Sequence, residues 1–181
     1  MPESIHTLIK NVKAGNEKAM LKVYDRYCEG MFIVASRYLS TEEAKDAMQE
    51  GFLKAFTKIE SYKSHSTFGS WLKRIIINQC VDELKKNRLE LSEIETEHLS
   101  IEDDNYWSVD TRLNKADVLM AIENMKENHR VILNLYLIEG YDHQEISEIL
   151  NIPVKTSRTR LRRGRLQLKE QLKQKYNAAG Y

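Results

Sequence analysis

The amino-acid sequence predicts an all-α protein made of two small helical domains joined by an acidic linker, the C-terminal domain being a helix-turn-helix. Turn-forming residues are scarce, with seven Gly and two Pro in 181 residues, whereas helix formers such as Leu, Lys and Glu are abundant. Apolar residues recur at three and four residues in two parts of the chain, and no sustained period runs through the acidic stretch between them. We expect a first domain at 1–87, a linker at 88–115, a second domain at 116–175 and a tail at 176–181.

Charge is distributed unevenly along the chain, although the formal net charge is only +1. Residues 89–111 contain eight acidic residues and no Lys or Arg, whereas residues 154–175 contain nine basic residues and one acidic residue. This opposition predicts a surface that binds a polyanion and a separate acidic segment. No apolar run approaches the roughly 18 residues of a membrane span, and no signal-peptide pattern precedes the first helix, so we expect a cytoplasmic protein.

The residue pattern predicts neither a metal site nor a cofactor site. The five His are scattered without ligand spacing. Cys28 and Cys80 have no CxxC or Cys/His spacing, and we expect both to be reduced thiols in the core. Since the chain also lacks a Ser/His/Asp arrangement and a Gly-rich phosphate loop, we expect no enzymatic activity and no small-molecule substrate.

The first domain is predicted to consist of successive amphipathic helices. Gly15-Asn16 ends the first helix, and Asn16 can cap the second. Ser40-Thr41-Glu42-Glu43 has the form of a capping box for the third. A short polar stretch, 60–67, separates it from a fourth helix that begins near Phe68. The residues expected to face inward are Ile5, Leu8, Ile9, Val12, Ala19, Val23, Tyr24, Tyr27, Met31, Ala35, Tyr38, Ala44, Ala47, Met48, Phe52, Ala55, Phe56, Ile59, Trp71, Leu72, Ile75, Ile76 and Leu84.

The second domain begins with a helical pattern that runs from Ala116 to a stop at Glu139-Gly140. Asp142 then caps a short helix, and Glu145 completes a capping box. Asn151-Ile152-Pro153 ends that helix, and a new basic helix follows at once. Its predicted inward stripe is Val154, Ser157, Leu161, Gly164, Leu168 and Leu172. Two short helices joined by a tight turn, the second one basic, predict a helix-turn-helix.

The basic helix has a composition suited to DNA. A helix fits the major groove, where Arg can bind guanine through two hydrogen bonds while other Arg and Lys side chains neutralise phosphates. A basic helix face that is merely solvated is the alternative. The capping box, the turn and the concentration of charge together favour DNA binding.

Two stretches of the chain resemble the extracytoplasmic-function (ECF) sigma factors, the small initiation factors of bacterial RNA polymerase. The first is EEAKDAMQEGFLKAFTKIESYKSHSTFGSWLKRIIINQCVDELKK, residues 42–86. The second is MKENHRVILNLYLIEGYDHQEISEILNIPVKTSRTRLRRGRLQL, residues 125–168. They cover about half of the chain, in the order found in the family and with the acidic linker between them.

The resemblance implies that the first domain binds both core RNA polymerase and the minus-ten promoter box. Asp46, Gln49 and Glu50 match the helix that docks on the clamp helices of the polymerase's largest subunit. An ordinary solvated acidic face is the alternative there. Residues 60–67 match a loop that holds a flipped base, and Trp71 is either a stacking platform or, as we favour, part of the core. The minus-ten candidates are Tyr62, Lys63, His65, Ser66, Lys73, Arg74, Asn78, Lys85 and Lys86, with Arg88 as a further phosphate contact.

The helix-turn-helix would read the minus-thirty-five box. Two positions depart from the family pattern. Ser157 replaces a more usual Val, which weakens packing or adds a local hydrogen bond. Tyr136 stands where many members carry an Arg that contacts DNA, so that contact is in doubt. The candidate minus-thirty-five residues are Lys155, Thr156, Arg158, Thr159, Arg160, Arg162 and Arg163.

The expected function is therefore that of an ECF sigma factor, with core RNA polymerase and promoter DNA as partners and an anti-sigma factor as a candidate third. The acidic linker either occupies a nucleic-acid channel of the polymerase or only keeps a tether soluble. Tyr106-Trp107 within it is a candidate anchor for an anti-sigma factor. The main rival is a stand-alone helix-turn-helix regulator, which would bind specific DNA tightly without polymerase. A third class, an adaptor with negligible DNA contact, is disfavoured by the basic C-terminal region.

Overall fold

A computed structural model of the chain describes residues 3–88 and 114–178, which fall into two compact units. Within these residues every regular element is a helix, so the all-α prediction is confirmed. Most of the predicted acidic linker, including Tyr106-Trp107, lies outside the described residues.

The first unit contains four α-helices and one short 3₁₀ turn. They are α1 (Ile5–Lys13), α2 (Glu17–Ala35), α3 (Thr41–Thr57), the 3₁₀ turn Ile59–Ser61 and α4 (Phe68–Arg88). Gly15 has a φ of 77°, which ends α1. Asn16 then caps α2 by accepting a hydrogen bond of 3.0 Å from the backbone N–H of Ala19. The helix starts that the sequence predicted at Asn16 and Ser40 are thus both present.

The core of the first unit is centred where α3 packs on α4. Gly51 allows a close approach there, since a Cβ atom at this position would clash with Cδ1 of the buried Ile76. Aromatic rings complete the packing, and the Tyr24 and Phe52 ring centroids are 4.8 Å apart. This contact surface holds the outer face of α3 and the outer face of α4 in a fixed relation.

The second unit is built around its last helix. Its elements are α5 (Lys115–Glu123), α6 (Glu127–Leu133), a π-helix (Asn134–Ile138), α7 (His143–Leu150) and α8 (Val154–Ala178). The helix α8 packs on α5, α6 and α7 and extends three residues past the predicted domain end at 175. The inward stripe predicted for α8 is largely observed, because Ser157, Leu161, Gly164, Leu168 and Leu172 are buried whereas Val154 is partly exposed.

The helical pattern between Ala116 and Glu139 is divided into three elements. The helix α5 ends at Glu123 and is capped by Asn124, whose side-chain Nδ2 donates to the backbone oxygen of Met120 at 2.9 Å. The next helix gives way to the π-helix, in which the N–H of Glu139 donates to the oxygen of Asn134 at 2.9 Å. Gly140, with a φ of 78°, then ends the segment as predicted.

Both cysteines are free thiols, but only one belongs to the core. Cys80 is buried in the first unit, and this burial raises the pKa of its thiol to about 12. Cys28 is partly exposed, so the expectation of a core thiol was wrong for that residue.

Candidate nucleic-acid and protein interfaces

The outer face of α3 carries three exposed polar residues, Asp46, Gln49 and Glu50, which we call the docking face. Their exposure follows from the helical period, because Ala47 and Met48 of the same helix are buried. The capping box fixes the start of α3, where Glu43 Oε2 accepts a hydrogen bond of 3.1 Å from the N–H of Ser40. All three residues of the docking face therefore lie on one rigid, accessible helix.

A buried glutamine supports the docking face from inside. Gln79 of α4 is only 2 % exposed, and its Nε2 donates a hydrogen bond to Oε2 of Glu50. Its Oε1 accepts a hydrogen bond from Nζ of Lys54, one turn further along α3. Sequence reasoning missed Gln79, because nothing in the local pattern distinguishes an inward glutamine from an outward one.

The polar loop 60–67 is braced by an inward tyrosine. Tyr62 is 8 % exposed, and its hydroxyl donates to the backbone oxygen of Ser66 at 2.9 Å. Its ring centroid lies 5.5 Å from those of Phe68 and Trp71. Trp71 is partly buried in this cluster, in agreement with its favoured assignment to the core. The structure thus places Tyr62 beneath the loop surface, unlike the other loop candidates.

The remaining loop candidates face solvent. Lys63, His65 and Ser66 are exposed, as is Ser64, which has a φ of 58°. Thr67 ends the loop by capping α4, since its Oγ1 accepts a hydrogen bond of 3.2 Å from the N–H of Ser70. The loop therefore presents consecutive polar side chains between two fixed ends.

The helix α4 continues this polar surface. Arg74, Asn78 and Lys85 are exposed and recur at spacings that place them on one helical face, whereas Lys73 is partly exposed. Lys86 is also exposed but forms an ion pair of 2.8 Å with Glu83. The hydrogen bond and the charge of Glu83 raise the pKa of the Lys86 ammonium. Lys86 thus already has one acidic partner, Glu83, on the same helix.

The helix-turn-helix is formed by α7, a tight turn and the start of α8. Oδ1 of Asp142 accepts hydrogen bonds from the N–H groups of Gln144 at 2.8 Å and Glu145 at 2.9 Å, as the predicted capping box requires. Asn151 ends α7 in the left-handed region with a φ of 54°. The Ser147 hydroxyl then donates to the backbone oxygen of Ile152 at 2.6 Å, which fixes the turn.

The first turns of α8 present the basic residues. Among the minus-thirty-five candidates, Lys155 and Arg158 are exposed, and Thr156, Thr159, Arg160, Arg162 and Arg163 are partly exposed. Gly164 lies on the opposite, buried face, where a Cβ atom would be 3.2 Å from the side chain of Leu133. The close packing of α8 on the rest of the unit therefore leaves the basic face outward.

The buried Ser157 makes a hydrogen bond to another helix. Its side chain is fully buried, and its Oγ lies 2.9 Å from Nδ1 of His143 at the start of α7. Of the two consequences expected for this substitution, the structure shows the hydrogen bond, formed between helices and not locally. Burial, and to a lesser extent the charges of Arg158 and Arg165, lower the pKa of His143.

Sequence reasoning missed the contacts that Tyr136 makes with His143 and Arg165. The ring of Tyr136 lies 5.0 Å from that of His143, and the guanidinium carbon of Arg165 lies 5.1 Å above the Tyr136 ring centroid. The basic composition of α8 included Arg165, but its stacking on Tyr136 depends on the π-helix, which the sequence did not predict.

The described residues contain no group of three or more His, Cys, Asp or Glu side chains that could hold a metal ion. None of the described helices is long and apolar enough to cross a membrane.

Comparisons with known proteins match both units. Residues 23–90 match the family Sigma-70 region 2, and residues 115–168 match Sigma-70 region 4. The chain is 31 % identical to the ECF RNA polymerase sigma factor SigW of Bacillus subtilis (strain 168), over 96 % of this chain and 99 % of that protein. The chain belongs to the ECF RNA polymerase sigma factors.

Other relatives of this sigma factor have the same description. It is 30 % identical to the ECF RNA polymerase sigma-E factor of Haemophilus influenzae, over 87 % of this chain and 89 % of the relative. Among solved structures, its fold resembles the sigma factor RpoE in complex with the anti-sigma factor NepR from Bartonella quintana. That match has a TM-score of 0.53 and 22 % identity, and it covers 86 % of this chain and 98 % of the other. CnrH, solved with the cytosolic domain of CnrY, is similar at a TM-score of 0.51 and 22 % identity, over 92 % and 96 % of the chains.

The family matches coincide with the two candidate surfaces of this sigma factor. The region 2 match contains α3, the polar loop and α4, and the region 4 match contains α5 to most of α8. Sigma factors are regulatory proteins, not classical enzymes.

Proposed function

We propose that this sigma factor binds core RNA polymerase through the docking face and directs it to promoters through the polar loop, α4 and the helix-turn-helix. The observation that carries the proposal is that the two regions matching the family expose side chains of different charge. An acidic and amide face is exposed on α3 in region 2, and a basic face is exposed on α8 in region 4. A stand-alone regulator, the rival interpretation, is not favoured because the chain matches ECF sigma factors along almost its whole length.

The docking face has the chemistry of a protein interface. Its carboxylates can form charge-assisted hydrogen bonds with Arg side chains of a partner such as the clamp helices of the largest subunit. Leu53, one turn from Glu50, is 67 % exposed and supplies an apolar side chain beside the charges. An apolar anchor flanked by polar groups is typical of the centre of a protein–protein contact. The hydrogen bond from Gln79 orients Glu50 in advance, which reduces the entropy lost on binding.

The polar loop and α4 are assigned to the minus-ten box. A flipped base needs a preformed site and backbone contacts, because unstacking costs a few kcal/mol. Lys63, His65 and Ser66 offer exposed donors and acceptors on a loop whose shape Tyr62 fixes from below. We therefore assign Tyr62 to positioning the loop and leave direct contact to its neighbours. Phosphate contacts along α4 are assigned to Lys73, Arg74, Asn78, Lys85 and Lys86.

The helix-turn-helix is assigned to the minus-thirty-five box. Lys155, Arg158 and Arg162 lie near one line along the outer side of α8, where a helix in the major groove meets base edges. The remaining candidates, Thr156, Thr159, Arg160 and Arg163, flank this line and are assigned to phosphates and neighbouring bases.

The same assignment implies where and with what the protein acts. We place it in the cytoplasm, together with the polymerase, and assign catalysis to the polymerase alone. An anti-sigma factor is a candidate partner, because the solved sigma factor RpoE that resembles this chain was captured with the anti-sigma factor NepR.

The first test is co-elution of the purified chain with sigma-free core RNA polymerase in size-exclusion chromatography. We expect co-elution of the unmodified chain and loss of it when Asp46, Gln49 and Glu50 are all changed to Ala, with circular dichroism unchanged. The matched control is Asp25→Ala with Glu29→Ala, which removes two exposed acidic residues from α2. Failure of the unmodified chain to co-elute would reject the sigma-factor function.

The second test concerns promoter choice. Promoters would be selected from random-sequence DNA by the assembled holoenzyme, and transcription from them measured with Arg158→Ala and Arg162→Ala variants. Loss of a good base contact weakens discrimination by about 1–3 kcal/mol, so each variant should relax selection at one base position. Unchanged selection in both variants would remove these residues from the base-reading set.

A further inference from the structure

Arg165 is not among the residues predicted to contact DNA, but the structure holds its side chain in place. Its guanidinium lies over the ring of Tyr136 at 5.1 Å, a cation–π geometry that restrains an otherwise flexible side chain. One face of the guanidinium contacts the Tyr136 ring. The N–H groups lie in the guanidinium plane and therefore stay able to donate hydrogen bonds.

Tyr136 is itself held by two further residues. Its ring packs against His143 at 5.0 Å, and Nδ1 of His143 shares a hydrogen bond of 2.9 Å with the fully buried Ser157. Arg165, Tyr136, His143 and Ser157 thus form a continuous stack that joins the π-helix, α7 and α8. Ser157 is a buried residue of α8, the helix that carries the DNA-reading residues. The stack therefore fixes the side chain of Arg165 relative to those residues.

Among the described residues, no carboxylate forms an ion pair with Arg158 or Arg165. Asp142 is the acidic residue adjacent to His143, and its charge only partly offsets the effect of the two arginines on the pKa of His143, while its side chain caps α7. Arg158 and Arg165 are seven residues apart, about two helical turns, which places them on the same side of α8. Two uncompensated guanidinium groups beside a helix assigned to DNA have the chemistry of a phosphate site.

We propose that Arg165 binds a backbone phosphate of promoter DNA beside Arg158, and that Tyr136 and His143 are positioning residues that hold Arg165 in place for this contact. The inference rests on the proposed DNA-binding function of the helix-turn-helix and adds to it a contact and the means of its positioning. Phosphate contacts carry no sequence information, so Arg165 contributes affinity and register and leaves promoter choice to the first turns of α8.

The test measures binding of the full-length chain to a mixed-sequence DNA duplex of about 30 base pairs, between about 50 and 200 mM salt. Removal of one phosphate contact lowers the slope of log affinity against log salt by about 0.9. We therefore expect Arg165→Gln to lower the slope by about one and the affinity about three- to ten-fold at the low end of the range. Tyr136→Phe, which keeps a stacking ring, should retain the slope, and Tyr136→Leu should lower the affinity in the direction of Arg165→Gln.

The matched control is Lys173→Gln, which removes an exposed positive charge from the same helix about two turns further on. An equal loss of slope in this control would show a general charge effect and overturn the assignment. An unchanged slope in Arg165→Gln, with wild-type binding and helicity intact, would also overturn it while leaving the proposed function standing. Absence of duplex binding by the unmodified chain at low salt would reject both the phosphate site and the DNA-binding function of the free helix-turn-helix.

Discussion

The polar loop of the first unit and the turn of the helix-turn-helix both require a left-handed backbone conformation, but different residues adopt it. Each contains one non-glycine residue in the left-handed region, Ser64 with a φ of 58° and Asn151 with a φ of 54°, and no other described non-glycine residue has a positive φ. Asn adopts this conformation more readily than most L-residues, and it is a common helix-ending residue. Ser64 has no such preference. The turn is therefore encoded locally, and the loop conformation requires support from elsewhere.

Tertiary contacts provide that support. The Tyr62 hydroxyl bonds the backbone of Ser66 across Ser64, and the Tyr62 ring is anchored on Phe68 and Trp71. In the turn, by contrast, the main contacts join residues of the motif itself, such as Ser147 and Ile152. The comparison indicates that the loop should be sensitive to changes beneath it, whereas the turn should be sensitive mainly to its own residues.

The largest effect is expected for Tyr62→Ala. Removing a buried aromatic side chain costs about 3–5 kcal/mol of the free energy of unfolding, and Tyr62→Phe, which removes only the hydroxyl, should cost about 1 kcal/mol. Urea unfolding, monitored by hydrogen exchange of the α4 amides, would measure the free energy of unfolding of both variants. If Tyr62→Phe changed neither the free energy of unfolding nor promoter opening by the holoenzyme, the hydrogen bond between Tyr62 and Ser66 would have no role in the loop.

A smaller effect should distinguish Ser64 from Asn151. The left-handed conformation costs an L-residue about 1–2 kcal/mol, and Gly avoids this cost while gaining entropy in the unfolded chain. We expect Ser64→Gly to stabilise the first unit by up to about 1 kcal/mol, and Asn151→Gly to change the second unit by only a few tenths, since Asn already tolerates the conformation. Equal stabilisation by both substitutions would contradict the difference between the two regions. Each would be measured by urea unfolding of the corresponding unit.

The features that were predictable from sequence are those with a local cause. Both capping boxes, at Ser40 and Asp142, have a fixed spacing of polar groups, and both are present. The exposure of the docking face follows from the buried stripe on the other side of α3. In the same way, the basic face of α8 could be predicted before its contacts were known.

The features that were not predictable depend on distant residues. Tyr62 belongs to an irregular segment without a period, so its inward direction depends on Phe68 and Trp71. The π-helix at Asn134–Ile138 has no sequence signature in this chain, and it is the element that brings Tyr136 to His143 and Arg165. Gln79 appears polar in the sequence but is buried because Glu50 and Lys54 of another helix satisfy its amide. Each of these positions needs two elements to be packed before its role is apparent.

The smallest expected effect is a pH dependence confined to the helix-turn-helix. Burial and the nearby arginine charges lower the pKa of His143 in the folded chain below its usual value near 6.5. Above about pH 6.5 the imidazole is neutral in both the folded and the unfolded chain, so it contributes no pH dependence. As the pH falls below that value, the unfolded chain takes up a proton that the folded chain resists, and the free energy of unfolding decreases.

The decrease should continue until the pH reaches the lowered pKa of the folded state and should then level off. Because carboxylates also titrate as the pH falls, the measurement is the difference between the unmodified chain and His143→Gln in urea unfolding of the second unit, taken across this range. We expect the difference to vary with pH in the stated direction and to become smaller in Arg165→Gln, since removing a neighbouring positive charge raises the pKa of His143. A difference that is constant with pH would show that His143 is not held in its neutral form. A change of equal size in Lys173→Gln would show that the second unit responds to its total charge and not to the stack of Arg165, Tyr136, His143 and Ser157.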